Sequence, residues 1–194
     1  AAKARGQVVY FCLDPENAVL KRHCRGGGHA ATVENGTLIV RRGTLRVPVA
    51  DVYDIPITFN GRASFNVENC LAAALTAYVR GMRVEDIRSG LLTFTPTFAH
   101  MPGRTNLIRV RDFEVILDYC HNVASFEAIR AFVAQSSATR RIGVVGVAGD
   151  RRDQDIERMA ASSAGSFTKV IIREDQLRGR KPGEVPAMIQ KVLL

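Results

Sequence analysis

Apolar positions along this 194-residue chain follow two different rhythms. From residue 7 to about 58 they come in short bursts broken by Gly, Asn and Pro, the pattern of strands and turns. Val8-Val9-Tyr10-Phe11-Cys12-Leu13 is one continuous run ending at Asp14-Pro15, and it predicts a buried strand. Residues 31–34 and 37–42 flank Asn35-Gly36, a pair that tolerates the positive φ of a tight turn, so they predict a hairpin. The spacing over 17–23 predicts a short helix, stopped by Gly26-Gly27-Gly28. A longer helix is predicted over 66–80, where Leu71, Leu75 and Tyr78/Val79 recur at helical spacing and Ala72 to Ala74 allow close packing. A second follows over 84–92. Residues 93–103, with Pro96, Pro102 and Gly103, have little periodicity and read as a linker that divides the chain into 1–96 and 97–194.

Beyond the linker the rhythm changes. Strands are predicted at 104–109, 114–119, 141–147 and 169–173, and helices at 124–134, 154–164 and 184–194. Strands alternating with helices imply right-handed βαβ crossovers and a mostly parallel sheet, so the fold class is α/β. The Rossmann-like C-terminal domain is preceded by a mixed α/β part. In such sheets ligands bind beyond the carboxyl ends of the strands. Asp118-Tyr119-Cys120-His121-Asn122 and 146–153 both lie at such ends, which makes them the site candidates.

Composition narrows the classes. Apolar residues are 46% and charged residues 24%, a balance that excludes disorder or a coiled coil as the main theme. No apolar run approaches the roughly 20 residues of a membrane span. The first six residues lack the apolar core of a signal peptide, so the cytoplasm is the expected compartment. Cys12, Cys24, Cys70 and Cys120 show no CxxC spacing and are expected as reduced, mostly buried thiols. The net charge of +8 favours an acidic partner, with cations recurring at Lys21-Arg22, Arg41-Arg42, Arg140-Arg141, Arg151-Arg152 and Arg178-Gly179-Arg180-Lys181. Taken one at a time, these pairs read as solvated surface. Direct reading of nucleic acid is disfavoured, because there is no Trp and no basic stretch with interleaved aromatics.

Several short segments could carry chemistry. Asp118, at the end of an apolar strand, can accept hydrogen bonds from ribose hydroxyls, and His121 and Asn122 sit where the next helix opens and anions are attracted. The same residues equally suit a helix cap with Asp118 solvated. In Gly149-Asp150-Arg151-Arg152-Asp153 the two guanidinia can grip a carboxylate or phosphate, or the segment is a turn whose Asp153 caps the following helix. Arg104, after Pro102-Gly103, is either a cation able to swing onto a nucleotide or an ordinary linker residue. Asn66 and Asn69 lie one helical turn apart, and two amides can match the donor and acceptor edge of adenine; a cap followed by a polar helix position is the alternative. No G-x-x-x-x-G-K-[ST] occurs.

The order of these pieces is informative. Asn66-Val67-Glu68-Asn69-Cys70-Leu71-Ala72-Ala73-Ala74, Pro102-Gly103-Arg104, Asp118-Tyr119-Cys120-His121-Asn122 and Gly149-Asp150-Arg151 follow one another as in the Mur ligase-like enzymes. The chain resembles most closely the Mur-like portion of the cyanophycin synthetase family, from about residue 7 to 194. Tyr10-Phe11-Cys12-Leu13-Asp14-Pro15-Glu16-Asn17, Leu92-Thr93-Phe94-Thr95-Pro96, Ile171-Ile172-Arg173-Glu174-Asp175 and Leu177-Arg178-Gly179-Arg180 extend the likeness.

The resemblance implies that 1–96 is the end of a Mur ligase central domain and 97–194 the Mur ligase C-terminal domain. It implies an ATP- and Mg²⁺-dependent ligase that phosphorylates a carboxylate and lets an amine attack the acyl phosphate. In the cyanophycin type, arginine is joined to aspartate side chains of an Asp-Arg polymer, and the parent is expected to be a homo-oligomer. By position, Asn66 and Asn69 would border adenine, Asp118 would hold the ribose, Arg104 would approach the phosphates, and His121 and Asn122 would shape the pocket. Arg104 and His121 are thereby the catalytic candidates, and Arg151 and Arg152 the candidates for the acidic substrate. Three positions depart from the common pattern. Cys120 stands where Ala is usual, Val123 where Pro is usual, and Asn106 where many Mur ligases carry Glu, although cyanophycin-type sequences often have Asn. The P-loop and the metal-binding carboxylates are expected in a preceding part, so this stretch is expected to be inactive alone. Two further readings follow from the same residues: another Mur-like amide ligase, of folylpolyglutamate or peptidoglycan type, and a non-catalytic module that binds nucleotide or acidic polymer.

Overall fold

A computed structural model describes residues 4–194. The chain forms two compact units, Ala1–Ile116 and Leu117–Leu194. No described helix is long and apolar enough to cross a membrane.

The first unit is built on a four-stranded sheet in the order β1-β2-β3-β4. Strand β1 (Tyr10–Cys12) runs parallel to β2 (His29–Glu34), and helix α1 (Ala18–Arg25) makes the crossover between them. Asn17 caps α1 by accepting from the Val19 and Leu20 amides at 3.0 and 3.2 Å. β2 and β3 (Thr37–Arg42) form the predicted hairpin, with Asn35 at φ 49° and Gly36 at φ 80°. β4 (Leu45–Asp51) adds antiparallel to β3, with a register shift at Leu38/Ile39. The predicted run 8–13 is shorter as a strand: β1 covers Tyr10–Cys12 and, among the described residues, pairs with β2 alone. Tyr10 and Cys12 turn to α1, where Tyr10 meets the His23 ring edge-on at 4.7 Å. Val9 and Leu13, on the opposite face, join the main core, while Phe11 between them stays 47% exposed.

Helix α2 (Ser64–Val79) lays Val67, Cys70, Leu71, Ala74 and Leu75 on the sheet, against Leu38, Val40, Val49 and Ile55. Those positions recur three and four residues apart, as a helix with one buried stripe requires. Helix α3 (Val84–Thr93) buries Ile87, and Arg88 donates from Nε to the Val49 carbonyl at 2.5 Å, tying the helix to β4. Strands β5 (Asn106–Val110) and β6 (Phe113–Leu117) form a separate two-stranded sheet. Their two-residue connection, with Arg111 at φ 51°, leaves room only for a hairpin.

The four cysteines are free thiols, and Cys24 and Cys70 are buried. Burial pushes the Cys70 thiol from its ordinary value near 9 up to about 11. Between those two values the unfolded chain has lost the proton that the folded chain still holds. The Cys70 contribution to stability is therefore fully present below about pH 9 and is lost as pH rises through about 11. Chemical denaturation at pH 8 and at pH 10.5 should show this loss. Cys70→Ala should flatten the alkaline slope while lowering stability at pH 8; an unchanged slope would show that Cys70 is not its source.

The second unit has the expected alternation. Helix α4 (Val123–Ala134), strand β7 (Ile142–Val145), helix α5 (Asp153–Ser163), strand β8 (Lys169–Ile172) and helix α6 (Glu184–Leu193) follow in order. β7 and β8 are parallel, paired from Ile142↔Lys169 to Val145↔Ile172. Val147, Ile156, Met159, Ala160, Val185 and Ile189 form the core, with Val123, Phe126 and Ile172 against it. Gly143 lets the Phe167 ring lie on β7, since a Cβ would stand 2.7 Å from it. Because β7 and β8 run the same way, the loops leaving their carboxyl ends, 146–152 and 173–183, emerge side by side.

Candidate functional site

In the first unit, Asn66 and Asn69 are brought together, but their amides do different work. Asn66 is buried, donates from Nδ2 to the Ile57 carbonyl at 2.8 Å, and accepts from Asn69 Nδ2 at 3.2 Å. It thereby holds the single 3₁₀ turn Pro56–Thr58 onto α2 and orients its neighbour. Asn69 is exposed, so it is the member of the pair whose amide reaches the surface. The held turn is itself stiff: Thr58 Oγ1 donates to Val52 O at 2.6 Å or Ile55 O at 2.8 Å. Pro56 and Phe59 at its ends line a cavity of about 520 Å³ together with Pro96, Phe98 and Ile108.

Arg104 is exposed in the loop that precedes β5. Its amide donates to the Met101 carbonyl at 3.2 Å, and its neighbours Gly103 and Thr105 both have positive φ, 71° and 49°. Glycine adopts that conformation freely, whereas a β-branched residue does so at a cost.

In the second unit, Asp118 to Asn122 form one tight turn leading into α4. Asp118 Oδ1 accepts from the Cys120 amide at 2.8 Å and from Cys120 Sγ at 3.1 Å, which fixes the direction of the carboxylate. Burial pushes the Cys120 thiol up, and the hydrogen bond to Asp118 and its charge add to the shift. Cys120 therefore stays protonated and acts as a donor to the carboxylate, a contact that an alanine there would not make. Asn122 is the N-cap of α4: Oδ1 accepts from the Ser125 amide at 2.9 Å, while Ser125 Oγ bonds back to the Asn122 amide at 3.1 Å. The cap reading thus holds for Asn122. His121 donates its amide to the same Ser125 Oγ at 3.1 Å, and its ring tilts toward Tyr119 at 5.4 Å. Val123 is the first helical residue and packs on the core, so it takes an apolar role at that position.

Gly149 to Asp153 leave β7 and lie on the segment that follows β8. Gly149 donates its amide to Gln176 O at 2.9 Å. Arg180 then grips the loop: Nε donates to Gly149 O at 2.7 Å, and Nη2 to Arg151 O at 2.9 Å and Asp153 Oδ1 at 2.6 Å. Its Nη1 donates to Glu184 Oε1 at 2.8 Å, which ties the loop to α6. Only 18% of the Arg180 side chain is exposed. Hydrogen bonds to Asp153 and Glu184 hold its guanidinium above its ordinary value. The two arginines expected to meet an acidic substrate are both near carboxylates already. Arg152 makes a bidentate pair with Asp155 at 2.8 and 3.2 Å, which holds that carboxyl below its usual range. Arg151 stands 3.9 Å from Asp150, which also faces Arg178 at 3.5 Å. These pairs are exposed and of the kind that water and salt exchange easily.

The structure thus joins Asn66 to Asn69 in one unit. In the other it places Asp118, His121 and Asn122 in one turn and Arg151 and Arg152 in another, with Val123 and Val147 sharing the core beneath both. Sequence reasoning missed Arg180, which it counted as a surface cation. The available signal was the short spacing from Arg178 through Lys181 just after a strand end, where a second loop must meet the first.

Residues 103–193 match the family described as Mur ligase, glutamate ligase domain. The chain is 40% identical to a cyanophycin synthetase of Trichormus variabilis over 192 residues, which is 98% of this chain and 21% of that protein. It is 39% identical to that of a Synechocystis species over 195 residues, 100% of this chain and 22% of that protein. The chain therefore spans about a fifth of the length of the curated relatives it matches. Among solved structures, a folylpolyglutamate synthase from Thermotoga maritima matches with a TM-score of 0.56 at 20% identity, over 84% of this chain and 37% of that one. That last likeness is one of fold.

Proposed function

We propose that the chain, whose residues 103–193 match the Mur ligase, glutamate ligase domain family, is the nucleotide-facing part of an ATP-dependent ligase that forms amide bonds. The finer reading is the cyanophycin synthetase type, in which arginine is joined through an acyl phosphate to aspartate side chains of an Asp-Arg polymer. What supports it above all is similarity to two cyanophycin synthetases over at least 98% of the chain, through both units. The proposed division keeps a central-domain end at 1–96 and a C-terminal domain from 97; the family match begins at residue 103, whereas the compact units divide between Ile116 and Leu117.

The chemistry of the residues suits a nucleotide. An exposed amide at Asn69 can meet a base edge, an oriented carboxylate at Asp118 can accept from ribose hydroxyls, and the Arg104 guanidinium can neutralise phosphate oxygens. Asn66 acts behind Asn69 as its anchor. Asn122 and Ser125 keep the turn around His121 rigid, so His121 serves by shape and orientation. Arg151 and Arg152 can exchange their exposed carboxylate partners for those of an acidic polymer. Mg²⁺ accompanies ATP in this reading and offsets phosphate charge. Catalysis then consists of holding the carboxylate and the amine in line while excluding water.

The test is amino-acid-dependent ATP hydrolysis by the full-length protein, supplied with a short Asp-Arg polymer and with arginine, glutamate or alanine. Phosphate release and polymer growth should depend on arginine. Release with glutamate or alanine instead would assign the chain to another Mur-like ligase. No amine-dependent release with any of them would sink the ligase reading.

A further inference from the structure

We infer that Asn106 is the positioning residue that shapes the loop carrying Arg104, and that the three-point clamp it makes in this chain needs an amide. The inference rests on the proposed role of Arg104, and it follows from one buried side chain with all its polar atoms committed. Asn106 opens β5 and is 1% exposed. Its Oδ1 accepts from the Gly103 amide at 2.7 Å. Its Nδ2 donates to the Met101 carbonyl at 3.0 Å and to the Pro96 carbonyl at 3.3 Å. One side chain therefore closes a loop that begins ten residues earlier and fastens it at three points.

The loop needs such a fastening. Thr105 is buried and held at φ 49°, a conformation that a β-branched residue keeps only where its surroundings over-determine it. Gly103 on the other side of Arg104 is also in the left-handed region, at φ 71°. Arg104 is thus presented from a short backbone segment whose two flanking residues are both in an unusual conformation. The Asn106 amide is the fixed point against which that conformation is set.

The geometry also says why a carboxylate could not make this clamp, although many Mur ligases carry Glu at the position. Two of the three partners are carbonyl oxygens, which need a donor, and an ionised Asp or Glu has none. Asn106→Asp keeps the shape and the bond from Gly103 but turns an oxygen toward Met101 O and Pro96 O. A buried polar group left facing like atoms carries its full desolvation penalty.

The experiment is a double-mutant cycle in the full-length protein, with steady-state ATP kinetics as the readout. Asn106→Asp should lower kcat/KM for ATP by roughly 10- to 100-fold, the worth of one misplaced buried group. In an Arg104→Ala background the same change should cost less than about twofold, because a residue that acts through Arg104 has nothing left to position. An equal loss in both backgrounds would overturn the proposal and leave Asn106 a purely structural residue. If Arg104→Ala alone changes nothing, the role given to Arg104 falls instead. The clamp is then judged by hydrogen exchange at the Gly103 amide, which should quicken in Asn106→Asp and would overturn the clamp if unchanged. Asn106→Gln, which keeps the amide on a longer stem, carries the same cycle if the aspartate variant does not fold.

Discussion

Gly149→Ala should destabilise the second unit by about 3 kcal/mol, the upper end for a residue forced into a packed site. The cause is backbone against backbone. A Cβ on Gly149 would overlap the Leu177 carbonyl oxygen and stand 2.9 Å from its carbon, and neither can rotate aside as a side chain would. Relief requires the loop to lift from the segment after β8. That movement breaks the Gly149 bond to Gln176 O at 2.9 Å and pulls Gly149 O and Arg151 O away from Arg180. Arg151 and Arg152 then lose the frame that presents them, so affinity for an acidic polymer should fall with stability. Gly90→Ala gives the reference. Gly90 lies inside α3, and a methyl group added there would meet nothing within 4 Å, so alanine should add roughly 0.5–1 kcal/mol through helix propensity. Urea denaturation of both variants checks the pair. An unchanged midpoint for Gly149→Ala would mean that the loop is not seated on Leu177.

The features that proved legible in the sequence were those encoded by near neighbours. Asn35-Gly36 announced its hairpin because two positive φ values are needed at adjacent positions. Leu71 and Leu75 announced the buried face of α2 because a helix repeats every turn. The alternation after residue 103 announced the parallel β7–β8 pair, since a helix must cross between parallel strands. What stayed hidden involved partners distant in sequence or on the backbone. Arg180 reaches carbonyls 29 and 31 residues away, and no residue type marks where a carbonyl will point. Asn66 and Asn69 looked equivalent as a spaced pair, yet Ile57 O, nine residues earlier, takes the donor of one and leaves the other at the surface. The capping box at α4 escaped notice because its third helical residue is Ser125 rather than the usual Glu or Gln. Cys120 looked like a small apolar replacement, and it is instead a donor to Asp118. The order of the segments along the chain carried more about the site than any single residue did.

That donor bears on the strongest functional prediction, which concerns Asp118. Asp118→Ala should lower kcat/KM for ATP in the full-length protein by roughly 10- to 100-fold, the range for losing hydrogen bonds to a charged acceptor. Part of that loss would come from the turn, because Oδ1 also accepts from the Cys120 amide and thiol. Asp118→Asn separates the two contributions. Its amide oxygen can still accept from the Cys120 amide at 2.8 Å, so the turn survives while the negative charge that attracts the sugar hydroxyls is gone. The decisive comparison is ATP against its 2′- and 3′-deoxy analogues. The native protein should prefer ATP to the analogue that lacks the hydroxyl facing Asp118, and both variants should lose most of that preference, since neither offers the hydroxyl a charged acceptor. Cys120→Ala should leave the preference in place and only loosen the carboxylate. If Asp118→Asn discriminates ATP from both analogues as well as the native protein does, Asp118 shapes the turn and another residue holds the ribose.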